Sequence, residues 1–283
     1  MNKQLIINAD DFGICTETNK AIAELYQAKK ITSTSLLVSA EASSEAIQII
    51  KDKKLDFGVH LTLNSDFQSY PWDAVSPRKS NLADNNGKLF ADTAYIAKHA
   101  LSKEVTAECE AQINKCKSLG ISPDHLDNHC ATMYGMNGRL FFINAFRLSK
   151  RYHLPFRFPK RNSFLNGYFG GQTPFYIRTA HKGVALCAKI LGATIIDDMI
   201  TNPYSIKDIP DYKTLENYYL RAISTIKDGV TELFLHPSYD APKYSAATAE
   251  WKKRQYELAF LFSSSLEKRL QDEGITLISY KML

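Results

Sequence analysis

The sequence lacks the features that would direct it to a membrane, to the cell exterior or to a nucleic acid. Its five cysteines, Cys15, Cys109, Cys116, Cys130 and Cys187, form no C-x-x-C pair. An odd, scattered set argues against a disulfide framework and for a reducing compartment. No apolar run approaches the roughly 20 residues that span a bilayer. Met1-Asn2-Lys3-Gln4 leads straight into strand-forming residues, without a cleavable leader pattern. A cytoplasmic protein is therefore expected. The formal charge is +5 at pH 7, but Lys and Arg are spread among Asp and Glu. No basic stripe of the kind that grips nucleic acid stands out. Repeats, low-complexity tracts and linkers are also missing, so one domain over residues 1–283 is expected.

What is present is an α/β pattern. Of 283 residues, 45% are hydrophobic, enough for a sizeable core. Leu5-Ile6-Ile7-Asn8-Ala9 reads as a strand buried on both faces. It runs into Asp10-Asp11-Phe12-Gly13, with Thr16 as the expected N-cap of a helix to Ala28. Further strands are predicted at 33–39, 56–63, 123–128, 156–158, 194–196, 231–235 and 275–280, and helices lie between most of them. Long single helices are predicted over 93–119 and 247–273. Residues 64–90 read as an irregular loop, and loops of that length inside a domain are more often functional than idle. This alternation favours one parallel sheet. Seven or eight strand–helix units point to a TIM-like (β/α) barrel, whose ligands gather at the C-terminal face of the strands.

Several polar groups fall at those strand ends. In Asp56 to Leu63, strict alternation puts Phe57, Val59, Leu61 and Leu63 on one face and Gly58, His60 and Thr62 on the other. In His125-Leu126-Asp127-Asn128-His129 the period of two places His125, Asp127 and His129 together. A carboxylate beside a histidine is how proteins orient a metal-ligating imidazole. His236 ends the strand at 231–235 and is followed by Pro237. Two histidines and a carboxylate, with positions left for water, are the donor set of a catalytic divalent site. The adjacent acids pose a geometric problem, because neighbours in a pleated strand face opposite ways. Both Asp10 and Asp11 reach one site only if the chain leaves the pleat at Asp11; otherwise one of them caps the next helix. His125 is open between a fourth ligand, a partner of a ligand and a surface residue. Cys130, one residue past His129, is expected to pack away from the site.

Asn8-Ala9-Asp10-Asp11-Phe12-Gly13, the G-x-H-L-T-L of Gly58 to Leu63 and the H-L-D-N-H of His125 to His129 together resemble the YdjC-like carbohydrate deacetylases. The similarity runs in order over most of the chain, including the strand-His-Pro at His236 and the Arg254-x-x-Glu257 of the last helical region. The resemblance implies a barrel enzyme that uses a divalent metal ion to remove the N-acetyl group of an amino sugar such as diacetylchitobiose. The ion is zinc, magnesium or another, since the donor types suit several. Carried over, Asp11, His60 and His129 match the metal ligands, Asp10 the catalytic base and His236 the histidine opposite it. The substrate-binding candidates are Arg157, Arg254, His125 and Tyr134, and either arginine could equally pair with acids. One departure stands out: the family commonly continues D-x-H with further histidines, where this chain has Cys130-Ala131-Thr132-Met133-Tyr134-Gly135. Two alternatives are a metal-free glycosidase on the same barrel and an idle sugar- or metal-binding barrel. A small-molecule sugar is the expected partner, with no nucleic acid and no membrane span. A homo-oligomer is compatible with the chain.

Overall fold

Burial of β1 (Lys3–Phe12) organises the molecule, because every residue from Leu5 to Phe12 is shielded from solvent. The computed structural model describes residues 2–135 and 138–283. Among the described residues six more strands follow: β2 (Ser33–Leu36), β3 (Gly58–Leu61), β4 (Leu126–Asn128), β5 (Asp198–Ile200), β6 (Gly229–Leu235) and β7 (Thr276–Leu277). Pairings among these strands are parallel, in the order β4-β3-β2-β1-β6-β5, and β7 adds to the N-terminal end of β1. Two isolated parallel bridges carry the sheet round the other side, Leu126 to Phe156 and Phe156 to Ile195, just ahead of β5. The backbone N–H of Arg157 donates to Leu126 O, and that of Phe156 to Thr194 O, both at 2.9 Å. The expected TIM-like parallel barrel is present in a distorted form: a curled sheet with one wall thinned to single bridges.

That thin wall is where expectation and structure part. The strands predicted at 156–158 and 194–196 are reduced to the bridging residues, and the regular strand begins later, at Asp198. The strand predicted over 275–280 shrinks to two residues. Both long helices are broken. The first divides into Thr93–His99 and Ser102–Ser118, because Ala100 and Leu101 are extended and the Glu104 carboxylate accepts the Leu101 N–H at 2.9 Å. The second divides into Trp251–Leu261 and Ser264–Asp272, where Ser263 caps the new N-terminus by accepting from Leu266 N–H. Among the described residues no helix is long and apolar enough to cross a membrane.

The alternation in β3 is realised. Val59, Leu61 and Leu63 join the main apolar cluster with Val105 and Ile113 of helix Ser102–Ser118. The opposite face looks into the barrel, and its first residue must be glycine, because a Cβ on Gly58 would meet the His125 ring at 2.4 Å. Overpacking of this kind forces ring and strand apart and costs about 1–3 kcal/mol. Gly58→Ala should lower the free energy of unfolding by that amount in urea denaturation. Gly183→Ala, on a helix where a Cβ meets nothing within 4 Å, should be neutral or stabilising by up to about 1 kcal/mol.

Candidate active site

The tip of β1 solves the problem of the adjacent acids. Ala9 pairs with Thr34 and Phe12 with Leu36, so β1 advances three residues while β2 advances two. That is a bulge, and it bends the strand and re-aims its side chains. Asp11 occupies it in the left-handed region, with φ +66°, a conformation that aspartate tolerates better than most residues. The chain therefore leaves the pleat where the sharper sequence reading required, and both carboxylates turn into the barrel, each 1% exposed. Neither caps the next helix. Its N-cap is Cys15 rather than the expected Thr16, and the Gly13 N–H goes to Asn19 Oδ1 at 2.7 Å.

His60 reaches the site from the inner face of β3, and its Nδ1 hydrogen-bonds Asp127 Oδ1 at 2.7 Å. His129 lies just beyond β4, in a single 3-10 turn from His129 to Ala131. Its Nε2 hydrogen-bonds Asp66 Oδ1 at 2.6 Å, and Trp72 packs beside its ring. Each imidazole thus has one nitrogen held by a carboxylate, which fixes the ring and leaves the other nitrogen free to coordinate. Those two free nitrogens converge on one atom, Asp11 Oδ1, at 3.4 Å from His60 Nε2 and 3.3 Å from His129 Nδ1. Asp11 Oδ1 is buried and has no hydrogen-bond partner. A buried carboxylate oxygen left bare beside two imidazole lone pairs is unfavourable unless a cation lies among them. The donor set fits a divalent ion.

Electrostatics around this trio point the same way. Burial alone would depress the pKa of His60, but Asp127 and then Asp11 outweigh it and raise it to about 10. A site that attracts a proton so strongly attracts a metal cation for the same reason. Burial works against the charge of Asp11, yet Arg254 and the two histidines hold its carboxyl well below the usual range. The other Asp11 oxygen accepts from Arg254 Nη2 at 2.6 Å.

Asp10 belongs to a different network. Arg157 clasps it with two hydrogen bonds of 2.7 Å, and Asn8 Nδ2 donates to Oδ1 at 2.7 Å. The same guanidinium donates from Nε to Glu232 Oε1 at 2.8 Å and pairs with Asp127 Oδ2 at 2.7 Å. His236 stands at the open side, its side chain 36% exposed and its Nε2 3.9 Å from Asp10 Oδ2. Its backbone N–H is tied to Glu257 Oε2 at 2.7 Å.

Asp10, Asp11, His60, His129, His236 and Arg254 are therefore gathered at one end of the barrel. The remaining candidates lie elsewhere. Arg157 is beneath the acids and 2% exposed, committed to three carboxylates. Tyr134 donates to the Arg157 carbonyl at 2.6 Å. His125 is fully buried and stacked on Tyr280, with ring centroids 3.8 Å apart. The shared face foreseen for His125, Asp127 and His129 holds for the first two, with His125 Nε2 3.9 Å from Asp127 Oδ2; His129, where the chain leaves the strand, reaches the lumen from a turn instead. For the same reason Cys130 does not pack away. It has φ +52° and is exposed, with Sγ 3.3 Å from His129 Nε2. Asp66 and Glu232 went unnoticed in the sequence. Nothing periodic marks an aspartate in an irregular loop, whereas the glutamate interrupting the apolar run Thr231-Glu232-Leu233-Phe234-Leu235 was a visible signal.

The YdjC-like protein family profile matches residues 4–272. The chain belongs to this family. A carbohydrate deacetylase of Thermoanaerobacter pseudethanolicus is 28% identical over 284 residues, covering 99% of both chains. A carbohydrate deacetylase of Enterococcus faecalis is 28% identical over 290 residues, with 100% of this chain and 98% of the relative covered. Among solved structures, a protein of Enterococcus faecalis V583 described as a cellobiose-phosphate cleavage protein superposes with a TM-score of 0.78 at 26% identity, over 100% of this chain and 99% of that one.

In this YdjC-like chain Asp127 serves two masters, orienting His60 through one oxygen and accepting from Arg157 and Ser35 through the other. Removing such an orienting carboxylate lowers metal affinity about 10–100-fold. Asp127→Asn should show that loss in competition with a chromophoric chelator while far-ultraviolet circular dichroism stays native. Unchanged affinity would mean that His60 is aimed by something else.

Proposed function

We propose that this chain is a carbohydrate deacetylase, a hydrolase that uses one divalent metal ion to remove the N-acetyl group of an amino sugar. N,N′-diacetylchitobiose stands for the proposed substrate class. The observation that carries the reading is the bare, buried Asp11 Oδ1 facing the free nitrogens of His60 and His129, in a family whose relatives are named carbohydrate deacetylases. Asp11, His60 and His129 hold the ion, which when bound polarises a carbonyl and lowers the pKa of water to about 7.

The chain's own residues supply the rest. Asp10 is the base: fixed by Arg157 and Asn8 next to the ligand set, it takes the proton of the attacking water. His236, on the open side, protonates the departing amine, which without that proton is a poor leaving group. Arg254 neutralises the outer oxygen of Asp11 and keeps that carboxylate ionised. Arg157 does not reach the sugar in this reading. It positions Asp10 and Asp127 from below, and His125 supports the floor.

Acetate release from N,N′-diacetylchitobiose, by protein stripped of metal and then reloaded with zinc, cobalt or magnesium, tests this directly. Acetate is expected only after reloading. His236→Ala should lower kcat about 10²–10⁴-fold with a smaller change in KM. New reducing ends without acetate would favour a glycosidase, and acetate from metal-stripped protein would sink the metal-dependent reading.

A further inference from the structure

Outside the barrel mouth His129 meets a second set of donors: Asp66, which fixes its ring, and Cys130, which the proposed reaction does not use. Its Nε2 is 2.6 Å from Asp66 Oδ1 and 3.3 Å from Cys130 Sγ, and that sulfur is 3.7 Å from the same aspartate oxygen. All three lie within 4.8 Å of one another. In tetrahedral zinc, with sulfur at about 2.3 Å and nitrogen or oxygen at about 2.0–2.2 Å, neighbouring ligand atoms stand about 3.3–3.6 Å apart. Of the two separations involving sulfur, 3.3 Å falls in that range and 3.7 Å lies just beyond it, and the third needs to open by less than about 1 Å. Cys130 is exposed, Asp66 half-buried and His129 buried, so an ion arriving from solvent meets the sulfur first and keeps a position for water on that side.

We propose that Cys130, Asp66 and the outer nitrogen of His129 form a second cation site, for a thiophilic divalent ion such as zinc or cadmium. A thiolate donor selects soft and borderline ions and rejects magnesium and manganese, which prefer oxygen. The imidazole of His129 faces both ways, Nδ1 toward Asp11 and Nε2 toward Cys130. With both ions bound, the ring gives up its Nε2 proton to solvent and bridges them as an imidazolate, the Cys130 thiol gives up its own proton, and the outer ion takes the place of the Nε2 proton as the partner of Asp66. The inference shares His129 and its orienting partner Asp66 with the deacetylase reading, and its test needs no substrate.

The test is a cadmium titration of the metal-stripped full-length protein, with equilibrium dialysis for stoichiometry and ultraviolet absorption for the thiolate-to-metal charge-transfer band. The wild type is expected to take two equivalents, one of which brings the band. Cys130→Ser should take one equivalent and show no band, and magnesium should produce none. His60→Ala should lose the other equivalent and keep the band, which separates this site from the inner centre. A wild-type stoichiometry of one, absence of the band, or a second equivalent that survives Cys130→Ser overturns the proposal.

Discussion

One buried cation holds this site in shape. Arg157 sits on the thin wall of the barrel, 2% exposed, and its guanidinium is shared among Asp10 of β1, Asp127 of β4 and Glu232 of β6. Removing a charge from water costs several kcal/mol per ion, and only good geometry with further hydrogen bonds offsets it. Here the fork of the guanidinium meets carboxylates from three strands, Asn8 and Ser35 donate to the acids, and Tyr280 donates to the far oxygen of Glu232. Burial and the carboxylates have opposite effects on Arg157, and the carboxylates win, holding it charged. Where β4 and β5 are joined only by single bridges, this network spans the lumen and ties the wall to the rest of the sheet.

From that anchor the division of labour between neighbouring acids follows. Arg157 claims Asp10, and the bulge at Asp11 swings the next carboxylate across to the two histidines and Arg254. Two like charges one residue apart are tolerated because each has its own cation, from a different part of the chain. Each histidine in turn has its own acid, Asp127 for His60 and Asp66 for His129. Orientation therefore passes outward from the guanidinium through Asp127 to His60, whereas His129 depends on the loop that carries Asp66.

Much of this was legible in sequence, and what was not has physical reasons. The strict alternation at Phe57 to Leu63 showed which way His60 points, because a β-strand has only two faces. The three motifs together marked the family, and Gly13 hinted that the strand breaks after the acids. The period of two misled one step past β4, where His129 and Cys130 leave the strand and alternation no longer governs them. Long helical periodicity also concealed the breaks at Ala100 and Ser263, since an amphipathic stripe continues through a capped kink. Asp66 was invisible, because its role depends on how a loop folds back on the barrel. Arg157 was noticed for its charge, but a sequence does not say whether an arginine faces a sugar or three buried acids.

The separation of roles between Asp10 and Asp11 is the centre of this account, and metal content measured by mass spectrometry on two single variants tests it most directly. Asp11→Asn is expected to hold one equivalent of divalent ion less than the wild type, and Asp10→Asn to retain the wild-type stoichiometry while losing turnover. Equal metal loss in both would contradict the division, and so would an Asp11→Asn protein at the wild-type stoichiometry.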